Sequence, residues 1–132
     1  MSDSRSDPLR APLKTARRLG SAKEGTDHFW KQRLTAVANV VLTVFLVGLL
    51  VSIAGAEYAV VRRTLASPFV ALMLLLLALS GPYHMRLGMQ VIIEDYVHGE
   101  GTKIVLLMLN TFFAILVGAA SALAVLKLSL GA

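Results

Sequence analysis

LTAVANVVLTVFLVGLLVSIAGA, residues Leu34 to Ala56, runs 23 positions without a formally charged side chain. About 20 helical residues, each rising about 1.5 Å, cross a hydrocarbon core of about 30 Å. Two further stretches have the same property: Thr64–Met85, of 22 residues, and Ile104–Leu126, of 23. In lipid, only helices and closed barrels satisfy their own backbone polar groups. These runs are too long and too rich in Leu and Ala for the alternating strands of a barrel. The sequence therefore predicts an all-α membrane protein with three transmembrane helices. Leu87–Ile93 is apolar except for Gln90, so the second span is expected to continue to about Val97. The expected spans are about 34–56, 64–97 and 104–127.

Composition agrees. Of the 132 residues, 56% are hydrophobic and 16% charged, against about 45–50% and 25% in soluble domains. An ordinary soluble fold, disorder and collagen are excluded by these figures. The chain has no cysteine, which removes disulfides, thiolate metal ligands and cysteine nucleophiles. The net charge of +5 is concentrated at one end: residues 1–33 hold 8 of the 13 Lys and Arg. Residues 1–22 show no apolar periodicity and are expected to form a mobile basic tail, with 23–132 as the transmembrane domain. No recognition motif accompanies the tail's charge, so no nucleic-acid partner is expected. Lys103 adds a ninth basic residue to the same side of the membrane, against Arg62, Arg63 and Lys127 opposite. The excess places the N-terminus inside and the C-terminus, after three spans, outside. Ala54-Gly55-Ala56 resembles a signal cleavage site, but the apolar run before it is too long for a signal peptide. Thr26 or Asp27 suits the cap of a first helix starting at His28, with Phe29 and Trp30 at the interface. Ala66-Ser67-Pro68 reads as the entry turn of the second helix.

Polar residues at membrane depth are expensive and are default candidates for function. The second span concentrates them. His84 lies about 18 Å along the helix from Tyr96, well inside the hydrocarbon. Positions 84, 88, 91 and 95 share one face, so Gly88 clears room beside the imidazole and Asp95 stands at the cytoplasmic end. Two readings stand. The imidazole bonds a neighbouring carbonyl or hydroxyl, or it ligates a haem in the interior of a bundle. Pro82 removes a backbone hydrogen bond and is expected to kink the helix. Arg86 lies about 200° round the helix from His84. It must snorkel, or meet a carboxylate of a partner or cofactor, since no carboxylate of this chain lies at its depth.

At the helix exit, Tyr96 is either an interfacial anchor or a phenol donating to a quinone carbonyl, with Asp95 as its acceptor or proton route. Arg33 is either a positive-inside flank or a clamp on a haem propionate, with His28 five positions earlier as a second candidate. His98, past the helix end, is expected to be solvated.

The element His84-Met-Arg-Leu-Gly88-Met-Gln-Val-Ile-Ile-Glu-Asp95-Tyr96 resembles the hydrophobic membrane anchor family of succinate dehydrogenase, respiratory complex II. In that family a haem-ligating histidine is followed four residues on by Gly, and eleven and twelve residues on by Asp-Tyr. The segment His28-Phe-Trp-Lys-Gln-Arg33-Leu-Thr35-Ala36 is similar to the family's approach to its first helix. The resemblance covers about residues 24–126. It implies half of a haem-binding helix bundle, completed by a sister cytochrome b anchor subunit that supplies the second axial ligand of a haem b. It implies His84 as the axial ligand, Gly88 in haem packing, and Arg33 and His28 near a propionate. Tyr96 and Asp95 would bind ubiquinone. Succinate oxidation would belong to flavoprotein and iron–sulfur partner subunits, this chain being non-catalytic by itself in a bacterial inner membrane. The alternative is a small scaffold or transporter-like membrane subunit without redox chemistry.

Overall fold

The computed structural model describes residues 22–131; the expected tail, apart from Ala22, lies outside them. Four helices follow one another: α1 (Ala22–Ile53), α2 (Tyr58–Leu65), α3 (Pro68–Tyr96) and α4 (Glu100–Leu130). α1, α3 and α4 are each long and apolar enough to span a membrane.

Several boundaries differ from expectation. α1 already runs through Thr26 and Asp27, so neither caps it; Asp27 instead pairs with Lys31 one turn on. The second span does not begin at Thr64. Residues 58–65 form a separate helix, in which the Thr64 hydroxyl donates to the Val60 carbonyl at 2.9 Å. The long helix starts with Pro68 in its first turn, behind Ser67, as the Ala66-Ser67-Pro68 motif implies. α4 extends beyond its apolar run at both ends, with Glu100 in its first turn and Lys127 in its last. Both charges suit the helix dipole. α1 stops where Gly55 takes φ +75°, a left-handed conformation that is costly for a residue with a Cβ.

The chain divides at Lys31 into an N-terminal unit and a transmembrane unit beginning at Gln32. In the first, Phe29 and Trp30 meet edge to face at 6.1 Å. In the second, α3 and α4 pack closely and antiparallel. α1 reaches α3 through side chains. Thr35 meets His84, Asn39 meets Ser80, and the rings of Phe45 and Phe69 cross at 5.9 Å. As numbers rise on α1 they fall on α3, so this pair is antiparallel too. Leu42 and Leu49, spaced one heptad apart, are buried, while Val37, Val40, Val44 and Val47 are exposed. That stripe is a helix with one face on protein and the remainder on lipid.

Lipid provides no hydrophobic drive for helices to associate, so close packing depends on small residues. Ala114 and Gly118 supply the small face of α4. Pro82 is accommodated within an unbroken α3. Having no N–H, it leaves the Ala78 carbonyl without its usual donor, and Gly118 packs against that position. A Cβ on Gly118 would stand 3.6 Å from the Ala78 oxygen and 3.8 Å from the Pro82 ring. Those are ordinary contact distances with no room beyond them. Gly118→Ala should therefore leave thermal stability of the detergent-extracted protein near wild type. Gly118→Leu should wedge α4 off α3 and lower stability by about 1–3 kcal/mol, read as a lower melting temperature and yield.

Candidate functional site

The polar residues of the transmembrane unit form rungs between helices. On the α1 side of α3, His84 Nδ1 lies 2.9 Å from Thr35 Oγ1, and the same hydroxyl donates to the Gln32 carbonyl at 3.1 Å. One turn away, Asn39 Nδ2 donates to the Ser80 carbonyl at 3.4 Å. Asn39 Oδ1 is buried without a hydrogen-bond partner among the described residues. Thr35 and Asn39 are four residues apart, and so are Ser80 and His84, so each pair lies on one helix face. The sequence carried this signal as two i, i+4 polar pairs, but nothing in either helix alone shows that they face each other. Thr35 is thus the residue of the site that sequence reasoning missed.

His84 is half-buried. With Nδ1 occupied by Thr35, its Nε2 makes no hydrogen bond to any described residue. An imidazole held at one nitrogen and uncommitted at the other is the form in which histidine binds metals. Gly88 stands one turn along the same face, and a Cβ there would meet nothing within 4 Å. The ligand position and the open surface beside it therefore fit a flat macrocycle. No group of three His, Asp or Glu side chains gathers as a metal-ion cage among the described residues.

Arg86, on another face of α3, meets α4. Its Nε donates to Thr111 Oγ1 at 3.1 Å, Thr111 donates to the Leu107 carbonyl, and Asn110 Nδ2 donates to the Arg86 carbonyl at 2.9 Å. Its partner within the chain is a hydroxyl, not a carboxylate. Interhelical hydrogen bonds contribute about 0.6 kcal/mol, at most about 1.7. Placing an Arg at a helix centre costs about 2.5–3.5 kcal/mol on insertion scales. The Thr111 bond therefore orients the guanidinium without offsetting the cost of placing it at membrane depth. Arg86 and Thr111 also border a groove of about 330 Å³ beside Pro82 and Gly118.

Asp95 and Tyr96 end α3. Both are exposed, Tyr96 at 77%, while Ile93 behind them is buried. Neither bonds another described side chain, so the phenol faces outward from a fixed helix end. Gln90 and Glu94 hydrogen-bond each other at 2.8 Å along the helix surface. His98 is exposed beyond the helix, as expected. Arg33 is exposed on α1, two positions and so about 200° from Thr35. His28 belongs to the N-terminal unit; its Nε2 is buried and bonds no described residue. The structure thus groups His84, Gly88 and Thr35, and sets Asp95 and Tyr96 about 18 Å further along α3.

Residues 7–125 match the family described as succinate dehydrogenase/fumarate reductase transmembrane subunit. The succinate dehydrogenase hydrophobic membrane anchor subunit of Paracoccus denitrificans is 34% identical over 121 residues, 92% of this chain and 93% of that protein. The protein of the same name from Rickettsia bellii is 32% identical over 82% of this chain and 86% of its own length. The succinate dehydrogenase membrane anchor subunit of Reclinomonas americana is 33% identical over 70% and 80%. No solved structure matches. Three apolar spanning helices and this similarity along nearly the whole chain agree: the protein is a multi-pass membrane protein of the succinate dehydrogenase/fumarate reductase transmembrane subunit family, of the hydrophobic membrane anchor type.

Proposed function

We propose that this chain is the anchor of a succinate:ubiquinone oxidoreductase that holds a haem b through His84 and contributes Tyr96 and Asp95 to the ubiquinone site. The observation that carries the reading is the imidazole at membrane depth, bonded at Nδ1 to Thr35 with Nε2 uncommitted. The haem, when bound, supplies a one-electron carrier within the membrane. The chain's own part is to hold the imidazole in orientation and to keep water from the iron with the apolar residues of α1 and α3. A sister cytochrome b anchor would supply the second ligand, and Arg33 would offer a cation to the haem's carboxylates. Flavoprotein and iron–sulfur subunits oxidise succinate and deliver electrons to the cytoplasmic end of α3. There the Tyr96 phenol donates its one hydrogen bond to a quinone carbonyl, and Asp95 beside it serves as the proton route. The exposure of Tyr96 suits a residue whose ligand and opposite wall are supplied by other chains. A transporter-like role is less well supported, because such sites use broken helices near the midplane and α3 is continuous.

The membrane is the bacterial inner membrane, with the N-terminus and Gly101 inside and the C-terminus outside, following the excess of basic residues. Cysteine tags at the N-terminus or near Gly101 should resist an impermeant thiol reagent in intact cells, and a tag after Ala132 should react. Labelling of the N-terminal tag would reverse the orientation and remove Tyr96 from the cytoplasmic face.

The haem assignment is tested in the assembled complex. His84→Ala should shift or abolish the reduced b-type band, and His98→Ala should leave it unchanged. An unaltered spectrum in His84→Ala removes the ligand role.

Tyr96→Phe keeps the ring and removes one hydroxyl. Complex yield, haem band and succinate oxidation with a soluble acceptor should stay at wild type. Quinone reduction should fall by about tenfold, since about 1.4 kcal/mol is a factor of ten. An interfacial anchor predicts equal rates at subsaturating quinone, because Phe anchors nearly as well.

A further inference from the structure

We infer that Thr35 is the positioning residue that fixes the tautomer of His84, accepting the Nδ1 proton so that the Nε2 lone pair faces the iron. This deepens the haem reading above and rests on it. A threonine hydroxyl has one proton to give and an oxygen that accepts. Thr35 Oγ1 donates to the Gln32 carbonyl at 3.1 Å and lies 2.9 Å from His84 Nδ1. With the hydroxyl proton on the carbonyl, the oxygen can only accept from the ring. Nδ1 then carries the hydrogen, and in a neutral imidazole Nε2 is left with the lone pair. The opposite arrangement, hydroxyl donating to Nδ1, would put the proton on Nε2 and forbid ligation there.

The surroundings hold this choice in place. A threonine in a helix commonly turns its Oγ1 onto a carbonyl three or four residues back, so α1 itself directs the hydroxyl proton away from the ring. One turn along, the Asn39 bond to the Ser80 carbonyl fixes the register of α1 against α3. A polar rung in hydrocarbon has no water to exchange with, so its geometry persists. A metal-bound histidine whose other N–H is accepted by a neighbour is a more basic ligand. It favours ferric over ferrous iron and lowers the haem potential.

The test uses the whole complex purified from membranes, with Thr35→Val, of nearly the same shape but without the acceptor, and Thr35→Ser, which keeps it. Haem potential is measured by redox titration of the b band, with low-temperature electron paramagnetic resonance of the ferric form. Thr35→Val should shift the ferric–ferrous equilibrium about tenfold toward ferrous, about 59 mV upward for one electron, with altered ferric g-values. Thr35→Ser should match wild type. Loss of haem from a fully assembled Thr35→Val complex, with haem retained in Thr35→Ser, also supports the role, since outer partners of metal ligands contribute about 10–100-fold in affinity. A Thr35→Val complex with full haem and wild-type potential and g-values overturns it. If Thr35→Val does not assemble, pulsed resonance on wild type carrying ¹⁵N-histidine decides: an exchangeable proton on the remote Nδ1 supports the assignment, and iron on Nδ1 or no such proton overturns it. Failure of the haem reading is separate, since there His84→Ala would retain the wild-type band whatever Thr35 does.

Discussion

A polar side chain in hydrocarbon has only other protein groups to bond, and the arrangement of this protein follows from that constraint. Thr35, Asn39, Asn110 and Thr111 are all engaged across a helix boundary. Apolar packing alone leaves the helices weakly specified, because lipid covers a Leu or Val face as well as a protein neighbour does. Among the described residues no large side chain is fully buried, and Val37, Val40, Val44 and Val47 of α1 and Phe112 and Phe113 of α4 lie exposed. What selects one register over its neighbours is the pairing of hydroxyls and amides with His84 and with the Ser80 and Arg86 carbonyls.

α3 serves two neighbours in different ways. Against α4 it presents a proline and receives a glycine, so the backbones come close there, with the Arg86 bonds to Thr111 and Asn110 beside them. Against α1 the contact is made by side chains, and hydrogen-bonding groups dominate its chemistry. The first arrangement gives rigidity behind His84, and the second sets the orientation of the imidazole. A group ligated by His84 would thus be held by a helix braced from one side and steered from the other.

The three spans were legible because charge is excluded from them over membrane length, a signal that needs no tertiary information. Helix ends were less so. Thr26 and Asp27 look like a cap, but α1 continues through them, and the Asp27–Lys31 pair supports helix just as well. Residues 58–65 form a helix too short to register beside a 22-residue apolar run. In the candidate site, His84, Gly88, Asp95 and Tyr96 could be read from their spacing on one helix. Thr35 could not, since its importance arises from which face of α1 meets α3. Arg86 was recognisable as a charge at membrane depth, but its tie to Thr111 depends on the pairing of α3 with α4.

The four-residue spacing of the rungs limits how the gene can change. A single codon gained or lost between Thr35 and Asn39, or between Ser80 and His84, would turn the second rung about 100° from the first. One hydroxyl or amide would then face lipid. The connections at 54–57 and 97–99 carry no such phase, and can lengthen without disturbing it. Over evolutionary time, indels should therefore collect in those connections and be purged from the helix interiors, even where the individual side chains drift.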